Sequence, residues 1–307
     1  MIVMPGVGHR GALDPLTPQQ GLLAAQLRAD VERLASDLGG RSIFYPRRLA
    51  ECAVFLDDSL KAAGYATTSY TFVVHGTSCP NIEVVLPGTS KPDEVIVVGA
   101  HYDAFQGSPA ADDNASGVAA VLALARAFHG QPAARTLRFV LFVNEEPPSF
   151  MTADMGSLVY ARGCKVRGDR VVAMLSLETI GYYTDAERSQ HYPPPLGQLY
   201  PSRGNFIAFV GNYSSRRLVR DSIASFREHA RFPSEGAALF GGIPGVGWSD
   251  HWAFWQCGYP AIMVTDTAPF RNPNYHTAAD TPETLDYERM ARVVEGLHAV
   301  IADLANR

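Results

Sequence analysis

Residues 94–103 read Glu-Val-Ile-Val-Val-Gly-Ala-His-Tyr-Asp. The apolar run shows no polar alternation, so it describes a short strand covered on both faces, the kind found in parallel sheets. Further β-type runs follow at residues 136–143, 171–177, 205–210 and 261–265, interspersed with helical patterns at 116–128, 156–162, 215–229 and 284–304. Toward the N-terminus, Thr17-Pro18-Gln19-Gln20 offers an N-cap, a proline at the first helical position and a capping-box glutamine. Leu23, Leu27, Val31, Leu34 and Leu38 then recur at helical spacing, and a second helix is expected over residues 47–63. Residues 67–74 and 81–86 are β-rich and are joined by His75-Gly76-Thr77-Ser78, which suggests a hairpin. Strands alternating with helices imply an α/β fold. The expected architecture is a three-layer α/β/α sandwich around a mixed, mainly parallel sheet, with the hairpin adding antiparallel edge strands. No internal repeat or linker divides the chain, so residues 1–307 are expected to form one catalytic domain, with helices in residues 1–65 packing on its core. Residues 184–204, which contain Pro193-Pro194-Pro195, and the glycine-rich 241–249 are expected to be irregular surface segments.

Of the 307 residues, 47% are hydrophobic and 19% are charged, which suits an ordinary globular protein with ample core material. The net charge of −5 and the absence of a dense Lys/Arg cluster argue against nucleic acid or an acidic membrane as partner. No apolar run approaches the roughly 18 residues needed to cross a bilayer. The stretch MIVMPGVGHRGALDP lacks a basic region followed by a long apolar one, so it does not read as a signal peptide. A cytoplasmic location is expected on that basis, or a secreted or periplasmic one if a signal has been trimmed. Cys52, Cys79, Cys164 and Cys257 form no CxxC pair and read as free thiols used as small hydrophobes.

Metal-capable residues gather where the expected strands run out, and in open α/β sheets ligands bind at the carboxyl ends of strands. His101 and Asp103 follow the strand quoted first. Alternation places them on the same side, so one can bind a metal while the other accepts the second imidazole N–H. Asp112-Asp113 precede the buried helix, and two adjacent aspartates exceed what one helix cap needs. A carboxylate bridging two cations would explain the surplus. Glu145-Glu146 end another apolar strand, where they are costly without cations or hydrogen bonds. One can ligate metal while the other faces a bound water. Glu178 ends the strand Val-Val-Ala-Met-Leu-Ser-Leu, His276 lies in Asn274-Tyr275-His276-Thr277, and Asp250-His251 open a further segment. Each is weak alone; together they fit oxygen and imidazole ligation without thiolate, which suits a catalytic rather than a structural zinc site. With two cations, a shared aspartate balances charge and a free carboxylate such as Glu145 can take the proton of a water.

At these residues the sequence resembles the co-catalytic di-zinc aminopeptidase family, which includes bacterial leucyl aminopeptidases and aminopeptidase S, the catalytic domain of glutamate carboxypeptidase II, and glutaminyl cyclases. The blocks GAHYDA, ADDNASGVAAVLALA, FVNEEP, SLETIGYY, SDHWAFW and NYHTAADTPETLDY carry it, in that order. The resemblance implies the zinc-exopeptidase fold, two Zn2+ per chain and peptide substrates with a free N-terminus. His101 and Glu178 would hold one zinc, Glu146 and His276 the other, with Asp113 between them. Glu145 would be the general base, Asp103 would orient His101, and Tyr275 would hydrogen-bond the developing oxyanion. The resemblance also implies a cis peptide bond at Asp113-Asn114. Two departures stand out: Glu178 replaces the aspartate of the best-known small aminopeptidases, and Pro147-Pro148 replaces a more usual glycine-containing turn.

An aminopeptidase is the reading these residues favour. A glutaminyl cyclase-like acyltransferase would need only one working zinc, and a non-catalytic binding domain of this fold should have lost ligands. A carboxypeptidase acting on acidic C-termini would want several arginines in its pocket, and only Arg203 and Arg271 lie in suitable loops.

Overall fold

The computed structural model describes residues 3–307. In chain order it forms α1 (Pro18–Glu32), α2 (Pro46–Ala62), β1 (Thr67–Val74), β2 (Thr77–Leu86), β3 (Lys91–His101), α3 (Gly117–Phe128), β4 (Arg135–Phe142) and α4 (Gly156–Arg167). There follow β5 (Arg170–Glu178), β6 (Ile207–Asn212), α5 (Arg216–His229), β7 (Ser234–Leu239), α6 (His251–Gln256), β8 (Ala261–Thr265) and α7 (Tyr287–Asn306). The eight strands make one sheet in the order β1-β2-β4-β3-β5-β8-β6-β7. Period-two alternation splits β3 between two layers. Ile96 and Val98 join a core built with α1, α2, α3, α5 and α7, while Val95 and Val97 join a second one with α4 and α6. This is the expected three-layer sandwich. No helix among the described residues is long and apolar enough to cross a membrane. The four cysteines are free, and three are buried.

The capping box at Thr17 and Gln20 is formed in both directions, and α1 continues into a π-helical turn at Arg33–Leu38. The hairpin loop is tighter than its sequence suggests. β2 begins at Thr77, leaving only His75 and Gly76 in the turn, both at positive φ (47° and 80°), the backbone a two-residue hairpin turn requires.

A larger difference concerns β6 and β7. They pair parallel to each other, but β6 pairs antiparallel to β8. β7 and α6 were not distinguished in the sequence, because Ser-Glu-Gly-Ala-Ala-Leu has no β-branched residue and α6 spans only six residues. The reversal has a positional consequence. β6 starts at the sheet edge where β5 ends, so residues 179–206 stay at that edge. The starts of β6 and β7 therefore lie beside the ends of β5 and β8.

Candidate metal centre

Six residues singled out in the sequence converge at this edge: His101, Asp113, Glu145, Glu146, Glu178 and His276. The end of β3 carries His101, whose Nε2 lies 3.2 Å from Asp113 Oδ1, 3.4 Å from Glu178 Oε2 and 3.9 Å from Glu145 Oε2. On the other side, His276 Nε2 lies 2.9 Å from Asp113 Oδ2 and 3.3 Å from Glu146 Oε1. Two donor groups result, His101–Asp113–Glu178 and Asp113–Glu146–His276, and the donor atoms within each lie within 4.8 Å of one another. Asp113 belongs to both and turns one oxygen to each.

A cation fits here on two grounds. Two donors each about 2.0–2.1 Å from a tetrahedral zinc stand about 3.3 Å apart, close to the 2.9–3.4 Å between each imidazole and the two acids of its group. In addition, His101 Nδ1 and Nε2, Asp113 Oδ1 and Glu146 Oε1 are buried without a hydrogen-bond partner. Such orphans are costly unless a ligand satisfies them.

The electrostatics point the same way. Burial pushes Glu145 well above the usual carboxylate range, and the nearby charges of Glu178, Glu146 and Asp250 add to it. Burial and Asp113 raise Glu146 to about 8, and burial raises Glu178. Asp113 is the exception. Burial opposes its ionisation, but the two imidazoles that approach its oxygens outweigh this and hold it below its usual range. Burial disfavours charge on His276, yet Asp113 and Glu146 raise it to about 10. Two imidazoles thus face four buried acids, a deficit of positive charge that divalent cations would fill.

Neighbouring groups hold this arrangement. Asp103 accepts the backbone N–H groups of Glu145 and Glu146, each at 3.0 Å, and its Oδ1 lies 3.5 Å from His101 Nδ1. Asp280 does the same for Asp112 (2.9 Å) and Asp113 (3.2 Å). One buried aspartate therefore clamps each acidic pair. Ser249 donates to Glu178 Oε2 at 2.7 Å. His276 is sandwiched between the rings of Phe105 and Tyr275, at 4.0 and 3.9 Å between centroids. The Tyr275 phenol is raised, first by burial and then by the charges of Asp113, Glu146 and Glu178. Ala110, Asn144, Thr179 and His276 all have positive φ (58°, 60°, 45° and 58°), unusual for residues other than glycine. They flank or belong to the donor segments, so local strain is concentrated at this site. The Asp113-Asn114 bond is cis.

Asp280 and Ser249 were not singled out in the sequence, since an acid in a polar turn and a serine before Asp250 carry no distinguishing signal. Asp250 is buried nearby, and burial raises it to about 7. His251 is turned away, its Nε2 lying 2.8 Å from the Val246 carbonyl, and burial lowers it to about 4. Neither belongs to the donor groups. Arg203 is exposed and pairs with Glu187, whereas Arg271 is buried and supports residues 182–206 through Gln190 and the Phe206 carbonyl.

The sequence pattern of peptidase family M28 matches residues 81–301. The chain belongs to that family. It is therefore a metallopeptidase. The Escherichia coli (strain K12) protein YfbL, itself uncharacterised, is 37% identical over 292 residues, covering 92% of this chain and 88% of the relative. Leucine aminopeptidase 1 of Arthroderma otae is 26% identical over 285 residues, covering 88% of this chain and 69% of the relative. Among solved structures, the zinc aminopeptidase BSAP of Bacillus subtilis superposes with a TM-score of 0.73 at 14% identity, covering 92% of this chain and 95% of that one. A glutaminyl cyclase of Bacteroides thetaiotaomicron superposes with a TM-score of 0.69 at 19% identity, covering 91% and 97%. At such identities these two likenesses concern the fold.

Proposed function

We propose that residues 1–307 act as one catalytic domain, an aminopeptidase that releases N-terminal residues from peptides with two zinc ions. The observation that carries this reading is Asp113, whose two oxygens face two separate and complete donor groups. His101, Glu178 and Asp113 Oδ1 would hold one zinc, and His276, Glu146 and Asp113 Oδ2 the other. Two zinc ions there would supply Lewis-acid polarisation of the scissile carbonyl and lower the pKa of a water.

Glu145 is the general base: a buried carboxylate with a raised pKa takes the proton of the attacking water and returns it to the leaving amine. Asp103 acts through the backbone, holding the amides of Glu145 and Glu146 so that base and ligand diverge from adjacent positions. Tyr275 donates a hydrogen bond from its phenol to the oxyanion that develops on the carbonyl. A glutaminyl cyclase needs one donor group only, and retention of both favours peptide hydrolysis.

Purified protein is expected to carry close to two zinc ions per chain by elemental analysis. It should hydrolyse peptides with a free N-terminus, spare N-acetylated ones and stop on chelation. A zinc-replete protein inert toward every unblocked peptide in a broad panel would overturn the proposal.

A further inference from the structure

The cavity beside the metal centre has one feature that leucine-type substrates do not explain. Its volume is about 790 Å³ including the open mouth, and Glu178 and Tyr275 line its end at the metal centre. The sheet forms its floor. Glu178 pairs in register with Thr265, Thr265 with Ala208, and Ala208 with Glu235, so these four side chains share one face of the sheet. This row exists because β6 and β7 are reversed, which brings the start of β7 to the edge where β5 ends. The small Ala208, with Ala237 in the next row, leaves the space above the floor open. Tyr192, Tyr200, Trp248 and Phe270 supply aromatic walls.

At the far end of the row Glu235 is half-buried. Among the described residues it has no side-chain hydrogen bond and no ion pair. Arg227 and Arg10 are the nearest cationic influences. Arg227 spends its guanidinium on Ser234 and on the Pro5 and Gly6 carbonyls, and Arg10 sits on an exposed segment. Burial raises the Glu235 carboxyl, as expected of an acid that lacks a partner in an apolar place.

We infer that this cavity takes the side chain of an N-terminal arginine or lysine, with Glu235 selecting its charge. The inference rests on the aminopeptidase reading above and names the substrate class of that site. The lengths agree. Three interstrand steps of about 4.8 Å put Glu178 and Glu235 about 14 Å apart at their backbones. An extended arginine side chain reaches about 7 Å through six bonds of about 1.5 Å each. The substrate's own backbone at the Glu178 end and one hydrogen bond at the Glu235 end account for the remainder. The aromatic walls suit the stem and the cation alike, since guanidinium and ammonium groups are attracted to ring faces.

The test compares zinc-loaded wild type and Glu235→Gln on coumarin amides of arginine, lysine, leucine and alanine. Wild type is expected to show kcat/KM for arginine and lysine at least about tenfold above leucine, and the arginine-to-alanine ratio to fall at least about thirtyfold in Glu235→Gln, as when one partner of a desolvated charge pair is removed. A wild type that prefers leucine, or an unchanged ratio in the variant, overturns the inference. Calorimetric titration of wild type with free L-arginine and L-leucine decides the matter should the variant not fold. Arginine binding at least about tenfold tighter supports the assignment, and equal binding overturns it. Absence of hydrolysis on all four amides and on the broad panel of unblocked peptides would sink the aminopeptidase reading, while the titration would still judge the cavity.

Discussion

The donor groups and the cavity beside them lie on the same sheet edge but are built in opposite ways. Donor side chains come from short contiguous stretches at the ends of β3, β4 and β5 and from turns before α3 and α7. Paired backbone bonds to Asp103 and Asp280 fix two of those stretches. The cavity is assembled from β6, β7, β8 and three connecting segments, which meet through side chains from distant stretches, such as Gln190 with Thr267 and Arg271. The chemistry is therefore locally encoded and clamped, whereas the shape that chooses a substrate depends on how distant segments meet.

The largest effect expected on the clamped side is from Glu145→Gln. The variant keeps shape and zinc but cannot accept a proton, so kcat should fall by about 10²–10⁴-fold. Elemental analysis beside steady-state kinetics checks this, and an active variant carrying full zinc would remove Glu145 from the role. Next in size is Asp280→Ala, which frees two backbone amides under the shared carboxylate without touching any donor. Zinc affinity should weaken about 10–100-fold, as for other residues that orient ligands. Chelator competition measures it. Unchanged affinity would show that the second clamp is dispensable and the contrast overstated.

The same contrast explains what was legible in the sequence. His101, Glu146 and Glu178 could be read because each sits where an apolar run stops, and a buried charge at such a point demands compensation. Asp113 was legible because two adjacent aspartates exceed what one helix cap needs, and His276, in a turn with no such pattern, only through the blocks that carry the family resemblance. The central strands were equally readable from their uninterrupted apolar runs. Asp280 was not, because its work is done through backbone amides 167 and 168 positions away. β7 was invisible because its alanines and glycine carry no β-forming signal, and with it went the reversal that brings Glu235 to the edge. Segments 184–204, 150–155 and 241–249 were expected to build the pocket; the first and last line the cavity in part, and 150–155 does not.

On the cavity side, Ala208→Leu is expected to act differently from any change among the donors. Ala208 is 5% exposed and lies on the floor between Thr265 and Glu235. Added bulk there should raise KM for long N-terminal side chains about tenfold, in the range of other pocket-size changes, with zinc content unchanged. Loss of zinc in this variant would mean that the two regions are mechanically coupled.

The smallest expected effect tests the boundary itself. Glu178 belongs to the donor groups and also lines the cavity, and its arm is one carbon longer than the aspartate of familiar relatives. The extra torsion adds rotamers that a ligand must lose on binding metal. Ser249 Oγ donates to Glu178 Oε2 at 2.7 Å and lies 2.8 Å from Ser176 Oγ, so a serine pair beneath the sheet edge selects one of them. Removing the hydroxyl in Ser249→Ala leaves Glu178 free to swing toward the cavity. A hydrogen bond to a charged group contributes about 1.5–3 kcal/mol, and partial replacement by water should leave roughly a threefold to tenfold loss of zinc affinity. That loss should fall on the zinc shared with His101 and spare the one shared with His276, giving two separable steps in a chelator titration. A uniform shift of both steps would mean that Ser249 acts through general packing, and the length of Glu178 would then need a different compensation.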